Sequence, residues 1–301
     1  MKTEISKVKD PVQRLFCFIH ERYQIFLKRT DGKKPPWTDD PILGHYRFTN
    51  VYREDDIVTI WIAENWRDPH HDDPDLWFAM CVARLLNRPE SLGVVGYPVP
   101  FNQVSFGQLT KRFRDKGGKI FNPAYIVSTN GISIDKLAYL CHDVLTPLWK
   151  ARERLRPKDG DTLNSYHMLL GQMQGFGSFM SAQVVADLKY VEPLEDASDW
   201  WDFAASGPGS RRGLNYVLER EGHWVEDDWR MELGRLRGKL LPMFERAQMP
   251  KPHAQDIQNC LCEFSKYMRA ITKDQMPKQK YRWEQHVEHS NDRSSRRNSL
   301  Q

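Results

Sequence analysis

The stretch GQMQGFGSFMSAQVVADL, residues 171–188, decides the fold of this chain. It continues the segment DTLNSYHMLLGQM (161–173), whose apolar residues recur at helical spacing. Gly175 and Gly177 then flank one apolar residue, and a second apolar helical pattern follows at once. Because a tight turn between two short helices needs residues without a Cβ, we predict a helix-hairpin-helix near residues 163–190. An ordinary turn between two helices is the alternative.

A hairpin of this kind turns backbone N–H groups and a helix N-terminus outward, which suits a DNA phosphate. We therefore expect Gly175, Gly177 and Ser178 to contact DNA.

The composition is that of a globular protein, and it excludes several classes. The chain has 301 residues, 40% of them hydrophobic and 28% charged, with a net charge of +4 that is compatible with a polyanion partner. No run of about 18 apolar residues occurs and the N-terminus lacks an apolar signal core, so we expect no membrane partner and a cytoplasmic location, the host cytoplasm if the protein is viral. The five cysteines lack paired CxxC spacing, so we expect reduced thiols and no zinc site.

Apolar periodicity along the rest of the chain favours helices, and no strand pattern is convincing. The segment 57–66, IVTIWIAENW, favours a helix over a strand, whereas residues 96–125 are less regular. We predict a mainly α protein with one helical domain over residues 1–283 and a disordered basic tail over 284–301. The predicted helices cover residues 11–29, 74–89, 132–155, 161–173, 178–190, 228–247 and 254–271.

An acidic, aromatic segment follows the predicted hairpin. Asp199 lies 22 residues beyond Gly177, between Asp196 and Asp202. This distance resembles that between the hairpin and the aspartate of the helix-hairpin-helix DNA glycosylase fold. That fold often places a lysine two residues after the second glycine, where this chain has Phe179, so Schiff-base lyase chemistry is not expected there. The alternative is that the three aspartates are solvated residues of a polar loop.

The stretch GPGSRRGLN, residues 207–215, contains a set of groups suited to an anion with several oxygens. Gly207 and Gly209 can present backbone amides, Ser210 a hydroxyl, and Arg211 and Arg212 forked guanidinium groups. The stretch lacks the Lys-Ser/Thr of a Walker loop and follows no strand, so nucleotide binding is not supported. A solvated basic turn is the alternative.

Two further polar segments are candidates for a site. Arg47, Asn50 and Arg53 recur at three-residue spacing near several carboxylates, with capping and surface ion pairs as the alternative. In DIQNCLCEFSKYMRA (256–270) polar residues that include Lys266 follow one helical face, which ion pairs along an exposed helix also explain. The four residues HHDD lie in a proline-bounded loop with no further ligand nearby, so no metal site is expected.

Several of these stretches together resemble the α-glutamyl/putrescinyl thymine pyrophosphorylase family, also described as amino acid:DNA transferases, which is similar to the helical domain of 5-hydroxymethyl-deoxyuridine DNA kinases. The resemblance covers roughly residues 10–282. The kinases carry a P-loop domain in addition, and these 301 residues contain no GxxxxGK[ST]. The stretches are PWTDDPIL, YRFTNVYREDD, GKIFNPAYI, GFGSFMSAQVVADL, GPGSRRGLN and CEFSKY.

The resemblance implies a transferase of phage thymine hypermodification. Its substrate would be double-stranded DNA carrying a pyrophosphorylated 5-hydroxymethyluracil, flipped out of the duplex, whose pyrophosphate is replaced by an amino acid or a polyamine. No cofactor is required, and Mg²⁺ is compatible with pyrophosphate chemistry.

The candidate residues fit that reaction as follows. Arg211 and Arg212, with the amides near Gly207, would stabilise the departing pyrophosphate, and Asp199 would orient or deprotonate the amine. The remaining substrate contacts would come from Gly209, Ser210, Asn215, Arg47, Asn50, Arg53 and Lys266. A DNA glycosylase that excises a modified base, and a DNA-binding protein without catalytic activity, are the alternatives.

Overall fold

The computed structural model describes residues 3–123, 128, 129 and 131–281. These residues are mainly helical, which confirms the predicted fold class, and over these ranges the sole β-type pairing is an isolated bridge between Tyr46 and Lys280. The tail predicted to be disordered, 284–301, lies outside the described residues.

The α-helices, in chain order, are α1 (Glu4–Lys7), α2 (Pro11–Thr30), α3 (Pro41–His45), α4 (Ile57–Ile62), α5 (Leu76–Leu86), α6 (Pro89–Val95), α7 (Gln103–Asp115), α8 (Lys136–Tyr139), α9 (Thr146–Lys150), α10 (Arg152–Leu155), α11 (Leu163–Gly171), α12 (Ser178–Leu188), α13 (Pro208–Leu218), α14 (Glu226–Arg246) and α15 (Ala254–Ile271). Short 3-10 turns lie at Arg53–Asp55 and Asp68–His70, and π-helical turns at Ala63–Arg67 and Leu140–Leu145.

The chain forms two compact units. The first unit consists of residues 1–55 together with 206–301, and the second of residues 56–205. This division into compact units does not test the predicted single helical domain over 1–283, which stays a prediction.

The second unit is built around α5. All of its residues from Leu76 to Leu86 are buried, because the helix is apolar on every side and is enclosed by its neighbours. Helix α12 packs against α5 and against α11. The segment 57–66 begins with α4, which is capped by Asp56 and passes into a π turn, so the preference for helix there is confirmed.

One ion pair crosses this core. Arg84 of α5 donates from Nε and Nη2 to the two carboxylate oxygens of Asp187 of α12, both at 2.5 Å, and both side chains are 1% exposed. Thr59 and Asn87 accept the remaining guanidinium hydrogen bonds. A buried charge pair with its donors satisfied fixes the relative position of the two helices.

The first unit consists mainly of α2, α13, α14 and α15. Helix α2 starts where the sequence predicts, because Asp10 accepts from the Gln13 N–H and Pro11 occupies the first helical position. Its buried face packs against the three C-terminal helices, which contact one another as well. The predicted helices at 228–247 and 254–271 correspond to α14 and α15.

The irregular middle and the long helix at 132–155 are corrected by the structure. Residues 103–115 form α7, because Asn102 caps the helix through the Ser105 N–H and Phe106 and Thr110 bury one face. The long helix begins only at Lys136 and includes a π turn before Pro147, whose missing N–H prevents regular pairing. The Cys141 carbonyl accepts from the Thr146 N–H, which closes the π turn, and from Thr146 Oγ1 at 2.8 Å.

The structure also bears on the predictions about cysteines and membrane spans. All five cysteines are free thiols, as expected. Among the described helices, none combines the length and the apolar character that crossing a membrane demands.

Candidate functional site

The predicted hairpin lies in the second unit, between α11 and α12. Gly175 has φ +85°, and a Cβ on it would lie 2.9 Å from Val144 Cγ1, so this position requires glycine for two reasons. Gly177 is the N-cap of α12 and has open space where a Cβ would be. His167 of α11 donates from Nε2 to the Ser178 carbonyl at 2.9 Å, which ties the two helices across the turn.

Asp199 contacts the first helix of this hairpin, α11. Its carboxylate oxygens accept from the N–H groups of Leu163 at 2.8 Å and Asn164 at 2.9 Å, so it caps the N-terminus of α11. The flanking Asp196 and Asp202 are exposed. Asp199, 22 residues after Gly177, thus makes a structural contact with the first helix of the hairpin. Its role as an acid or base stays a prediction.

A reciprocal pair of hydrogen bonds holds the aromatic segment that carries Asp199. Lys189 Nζ donates to the Trp200 carbonyl at 2.8 Å, and Trp200 Nε1 donates to the Lys189 carbonyl at 2.6 Å. The ammonium also lies 4.0 Å from the centroid of the Trp200 ring. These contacts place Asp199 on a rigid support.

The stretch GPGSRRGLN lies in the first unit, and it is a helix where the sequence suggests a loop or turn. Helix α13 begins at Pro208, with Gly207 as an extended N-cap residue. The Gly207 N–H donates to Ser210 Oγ at 3.0 Å, and that hydroxyl donates back to the Gly207 carbonyl at 3.1 Å. The amide and hydroxyl expected to meet an anion are thus used in capping the helix.

The glycines inside α13 allow close packing against α15. A Cβ on Gly209 would lie 2.4 Å from Cys262 Sγ, and one on Gly213 would lie 2.1 Å from the Leu261 carbonyl oxygen. The two glycines are at positions i and i+4 of the helix, so they share one helix face. Their absence of side chains lets the two backbones approach, which explains the glycine content without reference to a phosphate.

The two arginines of α13 have different surroundings. Arg211 donates from Nε to Ser206 Oγ at 2.7 Å and from Nη2 to Glu226 Oε2 at 2.8 Å. Arg212 is exposed. Both polar atoms of the Asn215 side chain are hydrogen-bonded: Nδ2 donates to the Gly222 carbonyl at 3.0 Å, and Oδ1 accepts from Trp224 Nε1 at 2.7 Å. Arg212 is therefore the residue of this set best exposed to a ligand.

Glu226 is the anionic partner of Arg211. It caps the connection before α13 by accepting from the Ser206 N–H at 2.9 Å and from the Ser206 hydroxyl. Partial burial opposes its ionisation, but the hydrogen bonds from Ser206 and Arg211 outweigh this effect and lower the pKa of Glu226. The charge on Arg211 is thus already balanced within the protein.

The structure brings the predicted 47–53 segment together with the polar face of α15. Asn259 Nδ2 donates to Thr49 Oγ1 at 3.1 Å and to the Asn50 carbonyl at 3.2 Å. The Arg53 N–H donates to Asp256 Oδ1 at 3.2 Å. The polar face of α15 therefore does more than carry ion pairs along an exposed helix. It contacts the predicted segment 47–53.

Lys266 and Arg47 lie at the edges of this network. Lys266 Nζ donates to Glu263 Oε1 at 2.5 Å, and although burial opposes protonation, Glu263 raises the pKa of Lys266. The Arg47 side chain is exposed, while its N–H donates to the Gln279 carbonyl at 3.0 Å. The Lys266 side chain therefore stays positively charged at neutral pH.

Sequence reasoning missed Arg22 of α2. It continues the apolar stripe of Leu15 and Ile19, and it is only 4% exposed. Its Nη2 donates to the carbonyls of Thr49 at 2.5 Å and Asn50 at 3.1 Å. A charged residue at a position where helical periodicity demands an apolar one was the signal available in the sequence.

The predicted residues are divided between the two units. Asp199 and the hairpin residues Gly175, Gly177 and Ser178 belong to the second unit, whereas the 47–53 segment, α13 and Lys266 belong to the first. No group of three or more His, Cys, Asp or Glu residues is placed to hold a metal ion in the parts of the chain that the structure describes. In the HHDD stretch, His70 instead donates from Nδ1 to the Trp66 carbonyl at 2.9 Å.

Comparison with known proteins gives the family. The family described as "5-hmdU DNA kinase, helical domain" matches residues 9–276, which run through both units. A 5-hmdU DNA kinase of Bacillus phage SP10 is 27% identical over 234 residues, which cover 69% of this chain and 36% of that protein. No solved structure matches, so the likeness of the hairpin to DNA glycosylases stays a prediction. The match over most of its length shows that this chain belongs to the family of the 5-hmdU DNA kinase helical domain.

Proposed function

We propose that this protein is a transferase that modifies thymine-derived bases in DNA. It would act on a pyrophosphorylated 5-hydroxymethyluracil: the bond from the exocyclic methylene carbon to oxygen breaks, pyrophosphate leaves, and the nitrogen of an amine or amino acid bonds to that carbon and loses a proton. Chemistry on a base requires that the base leave the stack, at a cost of a few kcal/mol.

The observation that carries the proposal is the combination of family and sequence. The relative in phage SP10 is named a 5-hmdU DNA kinase, and the similarity of this chain is to its family's helical domain. These 301 residues contain no GxxxxGK[ST] for ATP phosphates. Similarity to the helical domain of enzymes that are named for 5-hmdU DNA supports a role in handling the modified base and its DNA.

The second unit supports DNA binding. Gly175 gives the turn its geometry, and Gly177 leaves the N-terminus of α12 uncovered by side chains. A helix N-terminus attracts phosphate through its N–H groups and its dipole. Phe179 of α12 and Met168 of α11 are large apolar side chains that are 55% and 61% exposed, which suits contact with a base or a sugar.

The first unit supports binding of the leaving group. Capping uses the Gly207 amide and Ser210 hydroxyl, so we assign the anion to the positive N-terminal end of α13 and to the exposed Arg212. Arg211 would then act as a positioning residue through its pairing with Glu226. That Asp199 of the second unit orients the amine stays a prediction. No cofactor is required, and Mg²⁺ is compatible with the leaving group.

The test uses synthetic double-stranded DNA that carries the pyrophosphorylated base. The full chain is incubated with this DNA and a set of amines, the DNA is digested, and the nucleosides are analysed by mass spectrometry with parallel measurement of pyrophosphate. We expect an amine-bearing nucleoside and one released pyrophosphate for each. Abasic sites would support the glycosylase alternative, and an unchanged nucleoside profile with every amine would exclude both enzymatic functions.

A pair of variants tests the assignment of the leaving-group site. Arg212→Ala removes an exposed charge at the start of α13, and Arg246→Ala removes an exposed charge from the last turn of α14. We expect Arg212→Ala to lower turnover by about tenfold or more, as loss of a charged hydrogen bond to the leaving group would. Arg246→Ala should retain wild-type turnover. Equal turnover of the two variants would contradict the assignment.

A further inference from the structure

A small cleft in the first unit is lined by two arginines. It lies where α2 meets the segment 48–50, with Arg22, Arg29, Thr49, Asn50 and Tyr281 among its lining residues and apolar side chains between them. Its enclosed space is about 10 Å³, enough for one water-sized group, and it is partly open to solvent. No carboxylate lines it among the described residues.

Arg22 carries a buried charge that lacks an anionic partner. Its hydrogen bonds go to the carbonyls of Thr49 and Asn50, to Thr49 Oγ1 at 3.3 Å and to Cys260 Sγ at 3.4 Å, all of them neutral acceptors. Burial raises the pKa of the Cys260 thiol to about 11, so it is uncharged at neutral pH. Within the described ranges Arg22 forms no salt bridge, and the face of Phe18 at 5.1 Å is a weak substitute.

The Nε–H of Arg22 is the donor left over. It is buried and makes no hydrogen bond with any described residue. An unsatisfied buried donor costs about 1–3 kcal/mol, and more when it belongs to a charged group. Because Arg22 lines the cleft, an oxygen atom bound there is a candidate acceptor for this donor.

The two carboxylates of this network, Glu263 and Asp256, are already engaged. Glu263 accepts from Lys266 Nζ at 2.5 Å and from the Thr49 N–H at 3.4 Å, and no ion pair joins it to Arg22 among the described residues. Asp256 is likewise held by the N–H groups of His253 at 2.9 Å and Arg53 at 3.2 Å. The anion that complements Arg22 must therefore come from outside this network.

The mouth of the cleft is also positive. Arg29, two turns further along the same face of α2, lies 5.6 Å from the centroid of the Tyr281 ring. Burial raises the pKa of Tyr281, while the charges of Arg29, Arg47 and Arg22 act against this rise, so three guanidinium groups lie near its hydroxyl. A ligand that enters past Tyr281 therefore meets positive charge at the mouth and at the base of the cleft.

We propose that this cleft binds one oxygen of a terminal oxyanion group, with Arg22 Nε as the inner donor and Arg29 at the mouth. The volume admits a single oxygen, so the rest of the anion lies in the open part of the cleft. Two sources share this chemistry: a phosphate-type group such as pyrophosphate, and the carboxylate of an amino acid. The naming of these sources rests on the proposed function, whereas the binding itself rests on the cleft alone.

The experiment measures anion binding to the full chain without DNA. Calorimetry and thermal unfolding are carried out with inorganic pyrophosphate, with glutamate and with putrescine in a buffer of weakly binding anions. We expect at least one of the two anions to bind and raise the melting temperature, and putrescine to do neither. Pyrophosphate and glutamate distinguish the two sources, and failure of both anions to bind would overturn the proposal.

Variants separate this cleft from exposed surface charge and from a purely structural role of Arg22. Arg22→Lys keeps the charge but lacks the Nε–H donor, and it should weaken anion binding at least about tenfold. If Arg22→Lys does not fold, Arg29→Gln at the mouth serves the same purpose. Arg246→Ala, which removes an exposed charge from the last turn of α14, should bind the anion as the wild type does.

The outcomes of these variants are decisive in both directions. Full anion affinity in Arg22→Lys or Arg29→Gln, or its loss in Arg246→Ala, would overturn the assignment to the cleft. A lower melting temperature in Arg22→Lys with an undiminished anion-induced rise would show that Arg22 is structural only. Because no DNA is present, these results are independent of whether an amine-bearing nucleoside forms.

Discussion

Replacing Gly213 with alanine tests the close approach of α13 to α15. A Cβ at this position would lie 2.1 Å from the Leu261 carbonyl oxygen, 2.6 Å from its carbonyl carbon and 3.0 Å from its Cα. These are backbone atoms, so rotation of a side chain cannot relieve the overlap. To restore even a 3.0 Å separation, the two helices must part by about 0.9 Å.

The expected loss of stability follows from two opposing effects. Overpacking of a well-packed interface costs about 1–3 kcal/mol, and the backbone contact places this change at the upper end. Alanine in place of a helical glycine returns about 1 kcal/mol. The free energy of unfolding should therefore fall by about 2 kcal/mol, which lowers the melting temperature by roughly 3–6 °C for a chain or unit of this size.

Thermal unfolding followed by circular dichroism measures this change, and Gly234→Ala is the matched control. Gly234 lies inside α14, and a Cβ on it would meet nothing within 4 Å, so alanine there should raise the stability by about 1 kcal/mol. The two substitutions are chemically identical, and they should shift the melting temperature in opposite directions. A Gly213→Ala protein that melts at or above the wild type would refute the reasoning about the helix contact.

Two further predictions concern the hairpin and the acid response. Gly175→Ala should lower the melting temperature, because φ is +85° and a Cβ there would lie 2.9 Å from a valine side chain. Gly177→Ala, the control, should change the stability by less than about 0.5 kcal/mol. Equal effects of the two substitutions would count against the hairpin geometry. Glu226 has a pKa below its ordinary 4.5, so its charge stabilises the fold above that pH and the contribution is lost as the pH falls through the folded-state pKa. The unfolding free energies of wild type and Glu226→Gln, measured by urea titration, should therefore converge in acid, and a constant difference at every pH would contradict the role given to Arg211.

The sequence allowed most helices to be predicted, because their apolar periodicity and caps agree. Helix α2 has both Asp10 as a cap and a regular apolar stripe, and the hairpin has the glycine that its turn requires. Helix α7 was missed, since the prolines and glycines that flank it and the basic residues inside it mask a short buried face of Phe106 and Thr110. Local composition hides an element when few of its residues face the core.

The candidate site was harder to predict, because hydrogen-bond partners depend on tertiary contacts. The sequence singles out Arg211, but Glu226, which balances its charge, follows 15 residues later. Asp199 was chosen for its distance from the hairpin, and the structure gives that distance a capping role. Arg22 was missed because it lies inside an apolar stripe, where only the fold reveals the cleft that it lines.

The glycine pair in α13 has a consequence for how relatives of this protein are recognised. Gly209 and Gly213 set the distance between two helices, so a substitution at either position requires a compensating change in Cys262 or in the backbone near Leu261. Chains that retain this glycine spacing can be expected to share the helix pair whatever reaction they catalyse. A search based on GPGSRRGLN would therefore retrieve proteins of one architecture, and their chemistry would have to be distinguished by residues outside the motif.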